Sequence, residues 1–209
     1  MWATIRHSQH FSSRAKAVKS QVSTNSSDKI LAAATKIAQA HGYGGLNVRD
    51  LAEEVGIKAA SLYYHFPSKA DLAAAVAKRY WEDSASTLEA LLTDVQDPLI
   101  CLRKYPETFR RSLENDNRMC LSSFMAAEYD DLPDVVKTEV QIFADVNVAW
   151  LGKVLLAAGV VGNSKEAKRR ALAIYAAVAG AQLMARSRSD IKLFDTMIAT
   201  YRATGLLPA

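Results

Sequence analysis

Apolar residues recur along this chain at helical spacing, and beyond Leu92 no alternating run of useful length points to a strand. Ile30, Leu31, Ala34, Ile37 and Ala38 form one stripe, with Ser27 or Asp28 suited to cap its start and Gly42 to stop it. Val48, Leu51, Ala52 and Val55 follow at i, i+3, i+4 and i+7, one face of a short helix with Asn47 at its N-cap. Gly56 sits where that helix must end in a left-handed conformation, and Ile57 can plug the gap before the next one. The third helix, Lys58 to about His65, has Leu62 as its one firm anchor. Ser68 with Asp71 then opens, as a capping-box variant, a long helix reaching about Leu92.

The remaining pattern predicts helices near Pro98–Glu114, Asn117–Tyr129, Pro133–Ala158, Ser164–Ser187 and Asp190–Thr204. Pro98 and Pro133 suit first-turn positions, Gly159 and Gly205 suit C-terminal stops, and Ser164 with Lys165 and Glu166 opens the penultimate helix. The expected fold class is therefore all-α, with about nine helices: a three-helix head followed by a larger helical body. No internal repeat is apparent.

The run VRDLAEEVGIKAASLYYHFPSK, Val48 to Lys69, carries the chemistry. With Leu62 turned inward, Lys58, Ala59, Ala60, Ser61, Tyr63, Tyr64 and His65 are left mostly outward. Small residues let a backbone approach a groove, hydroxyls donate to phosphate oxygens, and Lys58 and Lys69 release counterions from DNA. This composition suits the recognition helix of a helix-turn-helix, although a plain helical hairpin with an aromatic outer side has the same pattern.

The longer segment ILAAATKIAQAHGYGGLNVRDLAEEVGIKAASLYYHFPSKADLAAAV separates these readings. It resembles the DNA-binding region of the TetR family of one-component transcriptional regulators along its whole length, which is about a quarter of the chain. The resemblance implies that Arg49 meets the DNA backbone or a base edge, that Ala60 and Ser61 face the major groove, and that Lys58 stands at its entrance. It further implies that Tyr63, Tyr64 and His65 clamp phosphates and that Lys69 ties the fourth helix to the backbone. Ala59 and Ala60 offer no hydrogen bonds, so base readout would lean on thymine methyl contact and on Arg49 and Lys58.

Charge supports this placement. The chain has 209 residues and net charge +4, but residues 1–80 hold 11 Lys and Arg against 5 Asp and Glu, a net +6, and residues 81–209 hold 15 against 17, a net −2. The basic excess lies where DNA is expected. Residues 1–27 are Ser-rich, carry Arg6, Arg14, Lys16 and Lys19, and lack acid before Asp28. They are expected to be disordered, as an extension without consequence, a basic arm along the DNA, or a transit peptide, in that order. No run reaches the roughly 20 uncharged residues of a membrane span, the richest candidate lying near Ala171 to Ala185. No membrane partner is expected, and the expected location is cytoplasmic.

In the body, Leu172, Tyr175, Ala176, Ala179, Gly180 and Leu183 line one face of the penultimate helix, and Ile191, Phe194, Met197, Ile198 and Tyr201 line the last. Packing within one protomer would use the same pattern. The family resemblance implies a four-helix homodimer interface here, which would set two recognition helices roughly 34–36 Å apart on a near-palindromic operator. Met119, Cys120, Ser123, Phe124, Phe143, Asn147, Trp150 and Leu151 are spaced to converge on one cavity for an unidentified, largely apolar small-molecule inducer. Asn147 is the polar residue best placed to meet a ligand, against the alternative of a satisfied core amide.

Other classes are weaker. Glu53-Glu54 and Asp130-Asp131 are adjacent in sequence, and no nucleophile-base pair or phosphate-cradling loop accompanies them, so an enzyme is not expected. No cofactor is expected, and His7, His10, His41 and His65 lack paired metal-ligand spacing. Cys101 and Cys120 are the only cysteines; Arg118 beside Cys120 would favour a thiolate, giving a regulator of the same fold that senses electrophiles or oxidants. An all-helical protein-binding adaptor is the other rival, though it has no need of the basic-aromatic tip. The expected organisation is an extension over 1–27, a DNA-binding domain over 28–74, and a ligand-binding and dimerisation domain over 75–209.

Overall fold

The computed structural model describes residues 26–208, and among them every regular element is a helix. The expectation of a disordered basic extension falls, but for its last two residues, outside the described residues. Helix α1 spans 26–41, followed by α2 (Val48–Val55), α3 (Ala59–His65) and α4 (Lys69–Val95). The body adds α5 (Pro98–Lys104), α6 (Glu107–Glu114), α7 (Leu121–Ala127), a 3₁₀ turn (Tyr129–Asp131), α8 (Asp134–Ala157), α9 (Ser164–Ser187) and α10 (Ile191–Ala203).

Local chemistry explains most boundaries. Helix α1 is already under way at Ser26, ahead of the expected cap, and Asp28 instead pairs with Arg79 of α4 at 2.6 Å. The Asn47 side chain accepts from the Arg49 N–H at 2.9 Å, opening α2, and Gly56 closes it at φ 74°, a conformation costly for a residue with a Cβ. Ser68 accepts from the Asp71 N–H and donates to its carboxylate, the capping-box variant expected from sequence. Asn163, not Ser164, caps α9, by accepting from the Glu166 N–H at 3.0 Å.

The expected helix over Pro98–Glu114 is divided at Tyr105-Pro106. Proline has no N–H to bond the preceding turn, so α5 ends at Lys104 and α6 begins at Glu107. Downstream, Asp116 and Asn117 adopt positive φ of 54° and 55°, which delays α7 to Leu121 instead of the expected Asn117. Helix α8 is the axis of the body, burying Val136, Val140, Phe143, Asn147, Trp150, Leu151, Val154 and Leu155 against its neighbours α4 and α9. By length and composition α8, more than the stretch near Ala171 to Ala185, is the described helix apolar enough to cross a membrane. Here it is a core helix.

Two cores result. One lies in the body among α4, α5, α6, α8, α9 and α10. The other joins the head, Ile30, Leu51, Leu62, Leu72 and Val76 among its members, to Leu121, Met125, Leu132, Val136 and Val140 of the body. Leu62 is fully buried and is the sole buried side chain of α3. Leu62→Ala is expected to destabilise the protein by about 2–5 kcal/mol in urea unfolding, and a loss under about 0.5 kcal/mol would show that α3 is not anchored there.

Candidate nucleic-acid interface and the adjoining cavity

Helix α3 presents a surface that none of the other described residues covers. Tyr64 is 83% exposed and Tyr63 48%, beside exposed Lys58, Ala60 and Ser61. Burying an aromatic ring is strongly favourable, so rings left in water at one tip of a folded domain mark a surface awaiting a partner. His65 is half-buried, with the Tyr64 ring edge-on at 5.5 Å, and Ala59 is half-buried against the head core instead of facing out. Arg49 is exposed at the start of α2, whose outer side also carries Asp50, Glu53 and Glu54. Lys69 is half-buried, with its ammonium 4.5 Å from the centre of the Tyr43 ring and 3.4 Å from the Gly44 carbonyl. Arg49, Lys58, Ala60, Ser61, Tyr63 and Tyr64 therefore stand free at the tip, and Lys69 reaches it through the α1–α2 loop.

A cavity of about 300 Å³ opens where head and body meet, with a floor of Tyr80, Phe109, Cys120 and Phe143 and a rim of Thr35, Asp83, Ser84, Thr87, Thr108 and Arg111. Helix α1 thus contributes to it directly, through Thr35. Gln182 of α9, fully buried, fixes the floor: its Oε1 accepts from the Cys120 N–H at 3.0 Å and its Nε2 donates to the Phe109 carbonyl at 2.7 Å. One side chain ties α6, α7 and α9 together, satisfied at both ends as a buried amide requires.

Of the eight residues expected to converge on one cavity, Cys120 and Phe143 line this one. Asn147 is a satisfied core amide, accepting from the Tyr105 hydroxyl at 3.0 Å and donating to the Phe143 carbonyl at 2.8 Å. Trp150 stacks on Tyr105 at 5.9 Å and borders a separate groove between α4 and α8, while Leu151 is fully buried. Met119 is buried with its carbonyl facing Gln39, and Phe124 lies under the Arg186 guanidinium at 4.8 Å. Ser123 is half-buried on α7 and is not among the residues lining the cavity. Helical spacing alone does not reveal which turn of a core helix faces a void. The residues it missed come from α1, α4 and α6, each assigned only to packing or to the strut.

Burial pushes the Cys120 thiol up from its ordinary value, and the groups that partly offset this are Ser123, Tyr80 and Ser122. Arg118 is not among them, so the expected activation of the thiolate is not found. Among the described residues no group of three or more His, Cys, Asp or Glu comes together as a metal site.

On α9, Leu172 and Leu183 are 49% and 53% exposed, Ala176 is exposed, and Tyr175, Ala179 and Gly180 are half-buried. On α10, Phe194 and Ile198 are spent in the protomer's own core, whereas Met197 and Tyr201 pack at its edge. The outward apolar face therefore belongs chiefly to α9.

A helix-turn-helix head with an exposed basic-aromatic tip, carried on an all-helical body, is the architecture of DNA-binding transcriptional regulators. Residues 30–76 match the family described as "Bacterial regulatory proteins, tetR family". Over 43 residues the chain is 46% identical to the HTH-type transcriptional regulator LmrA of Bacillus subtilis, a match spanning 21% of this chain and 23% of that protein. Across the whole fold it is similar to a TetR-family transcriptional regulator from Agrobacterium tumefaciens, 28% identical with a TM-score of 0.78, over 85% of this chain and 96% of that one. A TetR transcriptional regulator from Legionella pneumophila is 27% identical with a TM-score of 0.78, over 84% and 95% of the respective chains. Residues 30–76 thus carry the DNA-binding domain of the TetR family, and the described fold as a whole is similar to that of TetR-family transcriptional regulators.

At pH 8, iodoacetamide is expected to alkylate Cys120 in the native protein at least about tenfold more slowly than in the urea-unfolded chain, read by peptide mass spectrometry. Equal rates would mean an accessible, ionised thiol.

Proposed function

We propose that this protein is a ligand-responsive transcriptional regulator that binds a near-palindromic DNA operator as a homodimer, represses from it in the cytoplasm, and is released when a small molecule fills the cavity. The observation that carries the reading is Tyr64, 83% exposed on α3 among Lys58, Ser61 and Tyr63, where only a partner gives such a ring a role. In this reading Arg49, Lys58, Ala60 and Ser61 approach the major groove, and Tyr63, Tyr64, His65 and Lys69 hold phosphates. A protein-binding adaptor would leave Arg49 and Lys58 without purpose.

The exposed apolar face of α9, Leu172, Ala176, Leu183 and Met184, supports a two-fold dimer, since a face of that kind is buried against its own copy at little cost. The ligand class follows from the cavity: an aromatic and thiol floor favours an apolar body, and the hydroxyls and Arg111 at the rim favour a polar end.

Against the DNA upstream of its own gene, wild type is expected to bind saturably with affinity falling steeply with salt, and Tyr64→Ala to lose about tenfold or more. Unchanged affinity in that variant would remove Tyr64 from the interface. Leu183→Glu, which places a charge in the α9 face, is expected to convert a dimeric mass in sedimentation to a monomeric one, whereas a monomeric wild type would end the dimer reading.

A further inference from the structure

The body grips the head at one corner, the junction of α1 and α2. Helix α1 ends at Gly42, φ 66°, and the next two backbone N–H groups, those of Tyr43 and Gly44, donate to the two carboxylate oxygens of Glu128 at 2.6 and 3.2 Å. Glu128 belongs to the body, closing α7. The approach is close enough that a Cβ at Gly42 would collide with the Glu128 carboxylate. Arg186 of α9 takes the other side, donating to the Gln39 and Ala40 carbonyls at 3.1 and 3.3 Å. These are last-turn carbonyls of α1, which have no intrahelical partner and carry the negative end of the helix dipole. A carboxylate therefore holds the amides and a guanidinium the carbonyls of one turn.

Only Gly45 and Leu46 separate the gripped amides from Asn47, the cap of α2, so little slack lies between the corner and the helix-turn-helix. At its other end α7 begins directly after Cys120, on the cavity floor. Arg186 lies over Phe124, midway along α7, and thereby joins the two grips.

We propose that Glu128 and Arg186 are positioning residues for the DNA-binding head, and that α7, with the cavity at its start and Glu128 at its end, transmits cavity occupancy to the α1–α2 corner. The first part stands on geometry alone; the second rests on the cavity being the ligand site. A shift at Cys120 moves a helix of only seven residues, and its far end cannot stay in register with two amides on a different element. Loss of that register frees the corner without unfolding the head, whose hydrophobic core is independent of Glu128.

The test is site-resolved hydrogen exchange on the full chain. Glu128→Ala is expected to speed exchange of the Tyr43 and Gly44 amides about tenfold or more, because a charge-assisted bond is lost at each, while α8–α10 exchange as in wild type. Glu128→Gln, which keeps one acceptor oxygen, should fall between. Operator affinity of Glu128→Ala should drop with an unchanged salt slope, since no phosphate contact is removed; a reduced slope would make Glu128 part of the DNA electrostatics and overturn the positioning role. Cys120→Phe, which fills the cavity from within, should speed the same two amides in an otherwise intact Glu128 protein. Wild-type exchange there in Glu128→Ala would overturn the grip, and wild-type exchange in Cys120→Phe would overturn the transmission. Because exchange needs neither operator nor ligand, failure of DNA binding in the wild type leaves the grip separately decidable.

Discussion

The head depends on a hydrophobic surface that it does not own. Its three helices bury Ile30, Leu51 and Leu62 against Leu72 and Val76 of α4, and the layer is completed by Leu121, Met125, Leu132, Val136 and Val140 from α7 and α8. A segment of this size buries too small a fraction of its surface to be stable alone. The seating of α3 is therefore shared with the body through this layer, with no direct contact between α3 and the cavity required. This shared layer joins the packing of a small helix-turn-helix to elements on the other side of α4.

The cavity sits at the same seam. Thr35 from the head, Tyr80 and Asp83 from α4, Phe109 from α6 and Cys120 before α7 come together there, and Gln182 pins two of those elements with both ends of its amide. Packed interiors respond to filling by moving whole elements, because side chains at close-packed density have no compliance to absorb a guest. Arg110, bonded to Asp195 at 2.7 Å and holding its carboxyl below the ordinary range, ties α6 to α10 on the far side.

Legibility in the sequence followed the range of the interactions. The head was readable because its determinants are local: the 48, 51, 52, 55 spacing, Asn47 and Ser68 as caps, Gly42 and Gly56 as stops all act within a turn or two, and all were found in place. The break at Pro106 was equally local, but the sequence reading ran a single helix through it and missed the signal of proline's absent N–H. The body was legible only as a series of helices. Which faces of α4, α6 and α8 surround a void is fixed by partners up to about a hundred residues away, and one stripe of apolar residues serves core, cavity and subunit interface alike. Asn147 was legible as a polar residue in an apolar helix, but its partner, Tyr105, lies on another element. Phe194 and Ile198 show the same ambiguity between core and interface. The corner held by Glu128 left no trace in periodicity, since it joins residues 85 apart through backbone groups.

Footprinting of the purified protein on the DNA that precedes its own gene tests the central claim most directly. The account predicts one protected region containing two inverted half-sites about one helical turn, or a small multiple of it, apart, as a two-fold pair of recognition helices requires. Protection of a single unrepeated half-site, or none at low salt with the region in excess, would contradict it.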